Sequence, residues 1–198
     1  MSIKLVALEG PDGGGKTLLA TMLSELGINT TKEPNSQHIS TPLRPKYPNK
    51  EDPNFAMDVA KFHSYMAYCH FLHLDWLKQQ KGIVVTDRYF PISHRIYLRF
   101  WGMDEHFGKS LTQLTSFSIQ PELIIYIEAQ PDVLMTRKGK SEIFSLNDYS
   151  QLIKIYREEI LKVKCRRLLK VTDVKEDFEL IKRSISVLAN SELIKYGN

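Results

Sequence analysis

The chain has 198 residues, 42% hydrophobic and 25% charged, with 27 lysines and arginines against 23 aspartates and glutamates for a formal net charge of +4. That balance fits one folded domain over residues 1–198 and excludes wholesale disorder and collagen-like or fibrous sequence. The mild charge does not mark a nucleic-acid platform, and no window approaches the ~18 consecutive apolar residues of a membrane span. Cys69 and Cys165 lack any CxxC or Cys/His spacing, which argues against a disulfide framework or a zinc site and for a reducing compartment. Glu9 interrupts the apolar start too soon for a secretory leader, so a cytoplasmic setting is expected.

Glycine and proline punctuate short apolar runs and helical patterns. Ile3–Leu8 is a largely apolar run ending at a glycine-rich turn, as a buried strand does. Residues 16–26 put Leu18, Leu19, Met22, Leu23 and Leu26 on one helical face, and Gly27 stops the helix. Residues 34–53 hold Pro34, Pro42, Pro45, Pro48 and Pro53 and predict an irregular loop, long enough to be functional or disordered. Phe55–Gln80 predicts a long, aromatic-rich helix closed by Gly82. Ile83–Thr86 predicts a second strand with Asp87 at its end, and Leu123–Ile127 a third, entered through Pro121 and left through Glu128. Asn147 is placed to cap a helix running to about Val163. Leu168–Thr172 and Phe178–Leu188 predict the last strand and helix. Strands alternating with helices predict an α/β fold, a parallel sheet of about five strands covered on both faces.

Gly10-Pro11-Asp12-Gly13-Gly14-Gly15-Lys16-Thr17 fits G-x-x-x-x-G-K-S/T, and it lies between a predicted strand and a predicted helix, the context this pattern needs. Glycines let successive backbone N–H groups turn toward phosphate oxygens at the positive end of the following helix. Gly10, Gly13, Gly14, Gly15, Lys16 and Thr17 are therefore expected to bind ATP. Lys16 would reach the β- and γ-phosphates, and the Thr17 hydroxyl would ligate Mg²⁺. Asp12 does not suit that task, because phosphate repels a carboxylate. It is expected to face a sugar hydroxyl of the substrate instead.

With Leu8-Glu9 ahead of this loop, the sequence resembles the thymidylate kinase family, whose loop reads E-G-x-D-G-x-G-K-S/T. Lys32-Glu33-Pro34 is similar to the family's R-E-P element after the second strand, with Lys for Arg. Thr86-Asp87-Arg88-Tyr89 is similar to its D-R-Y motif, and Pro121–Glu128 with Pro131-Asp132-Val133 resembles its next strand and helix. Thr136-Arg137-Lys138-Gly139-Lys140 falls at its basic lid, here short, at about 136–147. The resemblance implies ATP- and Mg²⁺-dependent phosphoryl transfer to a deoxynucleoside monophosphate, with dTMP to dTDP as the default. It further implies that Arg88 clamps the acceptor phosphate and that Glu33 orients the acceptor or a metal-bound water. Asp87, at the carboxyl end of a parallel strand, is expected to be a Mg²⁺-water ligand or an orienting carboxylate. The family places a catalytic cation either in the P-loop or in the lid, and positions 11–14 carry none here, so the resemblance implies that the lid supplies it from Arg137, Lys138 or Lys140.

Base recognition departs from the family. Its long helix carries an aromatic that stacks on thymine and, four residues on, an arginine, whereas no arginine lies between positions 45 and 87 here. Phe62 and Tyr65 are the candidate stackers. His63, His70 and His73 are expected to be surface or satisfied core residues, and Phe90–Trp101 is bulkier than the family's segment. Alternatives are a P-loop kinase for a modified pyrimidine nucleotide, a deoxynucleoside or a DNA-borne hydroxyl, or a non-catalytic nucleotide-binding protein. The basic run Lys162, Lys164, Arg166, Arg167 and Lys170 is expected to be a solvated helix end. The expected partner is a small nucleotide, with neither membrane nor nucleic acid, and with a homodimer as an open alternative.

Overall fold

The computed structural model describes residues 2–34, 40, 42–138, 144–163 and 165–190. Strands β1 (Ile3–Glu9), β2 (Asn29–Lys32), β3 (Gly82–Asp87), β4 (Leu123–Ile127) and β5 (Arg167–Val171) form one parallel sheet in the order β2-β3-β1-β4-β5. Side chains alternate across it with the period of two that extended chain imposes. Leu5, Ala7, Val84, Ile124 and Tyr126 enter one core, while Val6, Leu8, Val85, Leu123, Ile125 and Ile127 enter the other. Burial on both faces explains why β1 and β4 read as continuous apolar runs rather than alternating ones.

Helices α1 (Lys16–Glu25) and α7 (Phe178–Asn190) cover the second face through Leu19, Leu23, Ile181 and Ile185. The first face is covered by α2 (Phe55–Lys78), α3 (Phe90–Trp101) and α6 (Leu146–Ile160), with α4 (Asp104–Thr115) adding Leu111. α5 (Pro131–Lys138) packs Leu134 against Tyr149 and Ile153 of α6. The strands and helices anticipated from the sequence are present within three residues at their ends. One cap differs. Ser145, not Asn147, starts α6, because its hydroxyl accepts from the Asp148 N–H while the Asp148 carboxylate accepts from the Ser145 N–H, a reciprocal capping box. The described part of the 34–53 stretch is irregular, as its prolines require.

The three histidines of α2 are buried core residues, as expected. His70 lies 2.5 Å from Glu33 Oε1 and 2.8 Å from Ser118 Oγ, and His63 lies 2.7 Å from His94 Nε2 and 3.2 Å from Ser110 Oγ. Between them the rings of His70, Phe90, His94 and His63 stack in sequence at 4.4, 5.0 and 5.0 Å, which ties α2 to α3.

Burial, reinforced by His63 and His70, holds the His94 imidazole well below its ordinary range, and burial also lowers His63. Both stay neutral in the fold, whereas the unfolded chain protonates them below about 6.5. The unfolded state then binds more protons, so this pair makes stability fall as pH drops through about 6.5. His94→Phe keeps a ring between Phe90 and His63 but cannot take a proton. It should flatten the decline of the thermal midpoint between about pH 7.5 and about pH 5.5. Parallel midpoint curves for the two proteins would rule the pair out as the cause.

Candidate active site

The site lies where β1 runs between β3 and β4, at the carboxyl edge where ligands of such sheets bind. The chain leaves β1 through Gly10 at φ +143°, and a Cβ there would stand 2.2 Å from the Ile127 carbonyl oxygen at the end of β4. Only glycine permits that approach. Gly15, at φ +107°, turns the loop into α1, whose first residue is Lys16. The Lys16 ammonium is buried and donates to the carbonyls of Gly10 and Pro11, each at 2.7 Å. Burial, with the Arg88 charge adding to it, pulls Lys16 down to about 8.

Register brings the rest of the charge to the same place. Leu8 pairs with Asp87, and Lys32 of the neighbouring strand pairs with Asp87 from the other side. A pocket of about 310 Å³ opens there, lined by Asp12, Lys16, Thr17, Lys32, Asp87 and Arg88. The Thr17 hydroxyl donates to Asp87 Oδ2 at 2.7 Å, and the Lys32 ammonium is 3.9 Å from the same oxygen. Asp87 Oδ1 is buried with no hydrogen-bond partner among the described residues. An orphaned carboxylate oxygen beside a threonine hydroxyl, at a phosphate cradle, fits the oxygen-rich shell of Mg²⁺. Thr17 and Asp87 are the residues that would hold the ion, which would supply positive charge against the phosphates.

Arg88 stands at φ +81°, a left-handed conformation that is strained for a residue with a Cβ. Its N–H donates to the Leu8 carbonyl at 3.0 Å, and its own carbonyl accepts from the Thr86 hydroxyl at 2.7 Å. Next along the chain, the Tyr89 N–H donates to Glu9 Oε1 at 2.7 Å, and the Ser93 hydroxyl lies 2.8 and 2.9 Å from the two Glu9 oxygens. Burial outweighs the nearby Arg88 charge and these donors, and pushes the Glu9 carboxyl up to about 7. The Arg88 guanidinium, so directed, pairs with the Asp12 carboxylate, reaches the Tyr156 hydroxyl at 3.4 Å and lies 5.7 Å over the Tyr97 ring.

Not every expected residue faces this pocket. Glu33 is turned into the core, 2% exposed, with Oε1 on His70 and Oε2 accepting from the Phe90 N–H at 2.8 Å. With both oxygens engaged inside the fold, Glu33 ties the end of β2 to α2 and α3. Phe62 faces an aromatic box beside Arg88, whereas Tyr65, 6.4 Å from Phe62, is buried in the same core cluster. Arg137 donates to the Gly13 carbonyl at 3.2 Å and borders a second cavity of about 350 Å³ with Asp173, Val174 and Lys175, on the other flank of the loop. The side chain of Lys138 and the whole of Lys140 lie outside the described residues. In the basic run, Lys162 pairs with Glu159, Arg166 with Glu122 and Lys170 with Glu128. Lys164 lies outside the described residues.

Three participants were missed. Lys32 was read as part of a motif and not as a pocket cation, although a lysine ending the strand beside Asp87 is a usable signal. Tyr97 shares the α3 face of Ser93 and Trp101 by helical spacing, which places it near Arg88. Tyr47, discussed below, comes from the proline-rich stretch, where sequence offers no period.

One loop built to grip phosphates, with a separately anchored arginine a strand away, defines a P-loop kinase that handles nucleotides. The thymidylate kinase family model matches residues 8–185, and the chain belongs to the thymidylate kinase family, a family of nucleoside monophosphate kinases. It is 27% identical over 195 residues to the probable thymidylate kinase 1 of Saccharolobus solfataricus, covering 93% of this chain and 96% of that one. It is 29% identical over 155 residues to the thymidylate kinase of Clostridium novyi, covering 72% and 73%. Among solved structures the fold matches thymidylate kinase from Candida albicans at TM-score 0.63 and 15% identity, over 94% of this chain and 92% of that one. It also matches deoxyadenosine kinase from M. mycoides with bound dATP at TM-score 0.62 and 19% identity, over 92% and 99%.

The steric reading of the loop is directly testable. Gly10→Ala must displace the β4 carbonyl, so it should abolish nucleotide binding and lower stability by about 2 kcal/mol or more. Gly102→Ala, at φ +72° with nothing within 4 Å of the new methyl, should cost about 1 kcal/mol and leave binding intact. Equal nucleotide affinity in the two variants, by calorimetry, would contradict the assignment of Gly10.

Proposed function

We propose that this protein transfers the γ-phosphoryl group of ATP to dTMP, giving dTDP. The observation that carries the reading is the Asp12–Arg88 pair at the rim of the P-loop pocket. An arginine fork there suits the phosphate of a second nucleotide, and an adjacent carboxylate suits the hydroxyl of its sugar. A substrate carrying both groups is a nucleoside monophosphate, not a free nucleoside.

On this reading the P-loop amides of Gly10, Gly13, Gly14 and Gly15 cradle the ATP phosphates, and Lys16 exchanges its two carbonyl partners for the β- and γ-oxygens. Thr17 and Asp87 would hold Mg²⁺. Arg88 leaves Asp12 for the acceptor phosphate and sets it in line with the γ-phosphorus, freeing Asp12 for the sugar. The transferring group carries its charge on oxygens and needs cations more than a nucleophile. Lys32, half-exposed and 3.9 Å from Asp87, is one such cation, and Lys138 and Lys140 of the lid are others. Arg137, on the far flank with Asp173 and Lys175, serves the donor nucleoside. Among the described residues no helix is long and apolar enough to cross a membrane. Cys69 and Cys165 are unpaired, in keeping with a reducing cytoplasm, and the paired basic run favours small nucleotides over nucleic acid as partners.

The reading is tested with labelled ATP against dTMP, dUMP, dCMP, dGMP and thymidine. Wild type should favour dTMP over thymidine, and Lys16→Met should lose at least about 10²-fold in kcat. Lys32→Met should lower kcat by about tenfold or more with little change in ATP affinity, and Lys32→Arg should restore it, as expected of a cation serving the transition state. Preference for thymidine would overturn the role of Arg88, and full turnover in Lys16→Met would overturn the ATP site.

A further inference from the structure

The aromatic compartment beside Arg88 is already filled. The ring of Tyr47 dips into it from the irregular 42–54 segment and is boxed by Trp101 at 5.3 Å, Phe62 at 5.5 Å, Phe144 at 5.9 Å and Tyr97 at 6.0 Å. All four contacts are edge-on, with interplanar angles of 63–82°. Tyr97 is the ring that carries the Arg88 guanidinium 5.7 Å above it, so the box and the acceptor-phosphate arginine share a wall. Arg44 of the same segment caps the Phe62 face at 5.2 Å. The Tyr47 hydroxyl is buried and has no hydrogen-bond partner among the described residues, so ring packing, not the hydroxyl, seats this side chain. Its neighbours Lys46 and Asn49 are exposed. The ring also borders a cavity of about 590 Å³ lined by residues 46–51 with Phe100, Trp101, Phe144 and Asp148.

We propose that Tyr47 determines acceptor specificity by occupying the acceptor-base compartment itself, as an internal competitor that the incoming base must displace. The inference rests on the proposed function, which puts the acceptor phosphate on Arg88. From there a nucleotide with its sugar at Asp12 directs its base past Tyr97 into the box. The box holds one six-membered ring carrying an oxygen, so a pyrimidine substitutes for the phenol with the same edge-on contacts. The fused second ring of a purine does not fit. Tyr47 then moves into the cavity it borders, which is large enough for a phenol. Because only the fraction of molecules with the box open binds acceptor, apparent affinity is reduced by that fraction.

The test is calorimetric binding of dTMP to wild type, Tyr47→Ala and Tyr47→Phe, with ATP affinity as the control. Tyr47→Ala empties the box and should bind dTMP at least about fivefold more tightly. Tyr47→Phe removes the unpartnered hydroxyl, seats the ring better, and should bind dTMP more weakly while raising the thermal midpoint. A tyrosine serving as a fixed wall that stacks on the base gives the opposite pattern, weaker binding for Ala and no change for Phe, and that result overturns the proposal. Unchanged binding in both variants overturns it as well. Lys16-dependent transfer to purine nucleotides alone, with no dTMP binding by any of the three proteins, sinks this inference while leaving a kinase. Tighter dTMP binding by Tyr47→Ala without transfer to any nucleotide sinks the proposed function, and with it the specificity role of Tyr47.

Discussion

Arg88 carries a left-handed backbone, φ +81°, at a cost of about 1–3 kcal/mol, and the site depends on its being held there. The restraint comes from the two central strands. The Leu8 carbonyl at the end of β1 accepts the Arg88 N–H, Thr86 of β3 donates to the Arg88 carbonyl, and Glu9, the last residue of β1, accepts the N–H of Tyr89. A relaxed Arg88 would send its guanidinium elsewhere. The strained one sends it across the P-loop to Asp12, over Tyr97 and within reach of Tyr156. Parallel pairing of β1 with β3 is what makes this possible, since one register step places Leu8 opposite Asp87.

Holding opposite charges in so dry a place shifts them in opposite directions. Burial raises Glu9 to about 7 and lowers Lys16 to about 8, so each is closer to neutrality than it would be in water. Asp12 and two loop carbonyls serve as partners for Arg88 and Lys16 in this structure. Phosphate oxygens would offer both cations the same kind of acceptor with full charge, and the exchange would favour the charged form of Lys16 that burial disfavours. On this account a preference for polyanions comes from where these charges are placed, and the excess over the whole chain need be no more than the mild +4.

The fold was legible because its signals are local. Apolar strands, glycine stops and the phosphate loop each declare themselves within ten residues, and the sheet follows from their alternation. The residues of the P-loop and the Asp87-Arg88 pair were legible for the same reason. The acceptor side was not. The Glu33 carboxylate is shared with His70, 37 positions away, and the Arg137 guanidinium rests on the Gly13 carbonyl, 124 positions away, contacts that no local pattern announces. The ring that Phe62 of α2 meets, Tyr47, comes from a proline-rich stretch whose course only tertiary packing decides. The helix arginine missing between positions 45 and 87 left a gap in the sequence reading, and the structure sets Arg44 over the Phe62 ring at 5.2 Å.

The central claim is that the P-loop and Arg88 address two nucleotides whose phosphates meet in one pocket. Binding of adenosine and thymidine joined 5′ to 5′ through five phosphates measures this most directly. The account predicts that this ligand binds at least about 10²-fold more tightly than ATP or dTMP alone, since the second site is engaged at no further cost in translational freedom. It also predicts that Arg88→Met reduces the advantage to near that of ATP. An affinity no better than that of ATP, or an advantage that survives loss of Arg88, would contradict it.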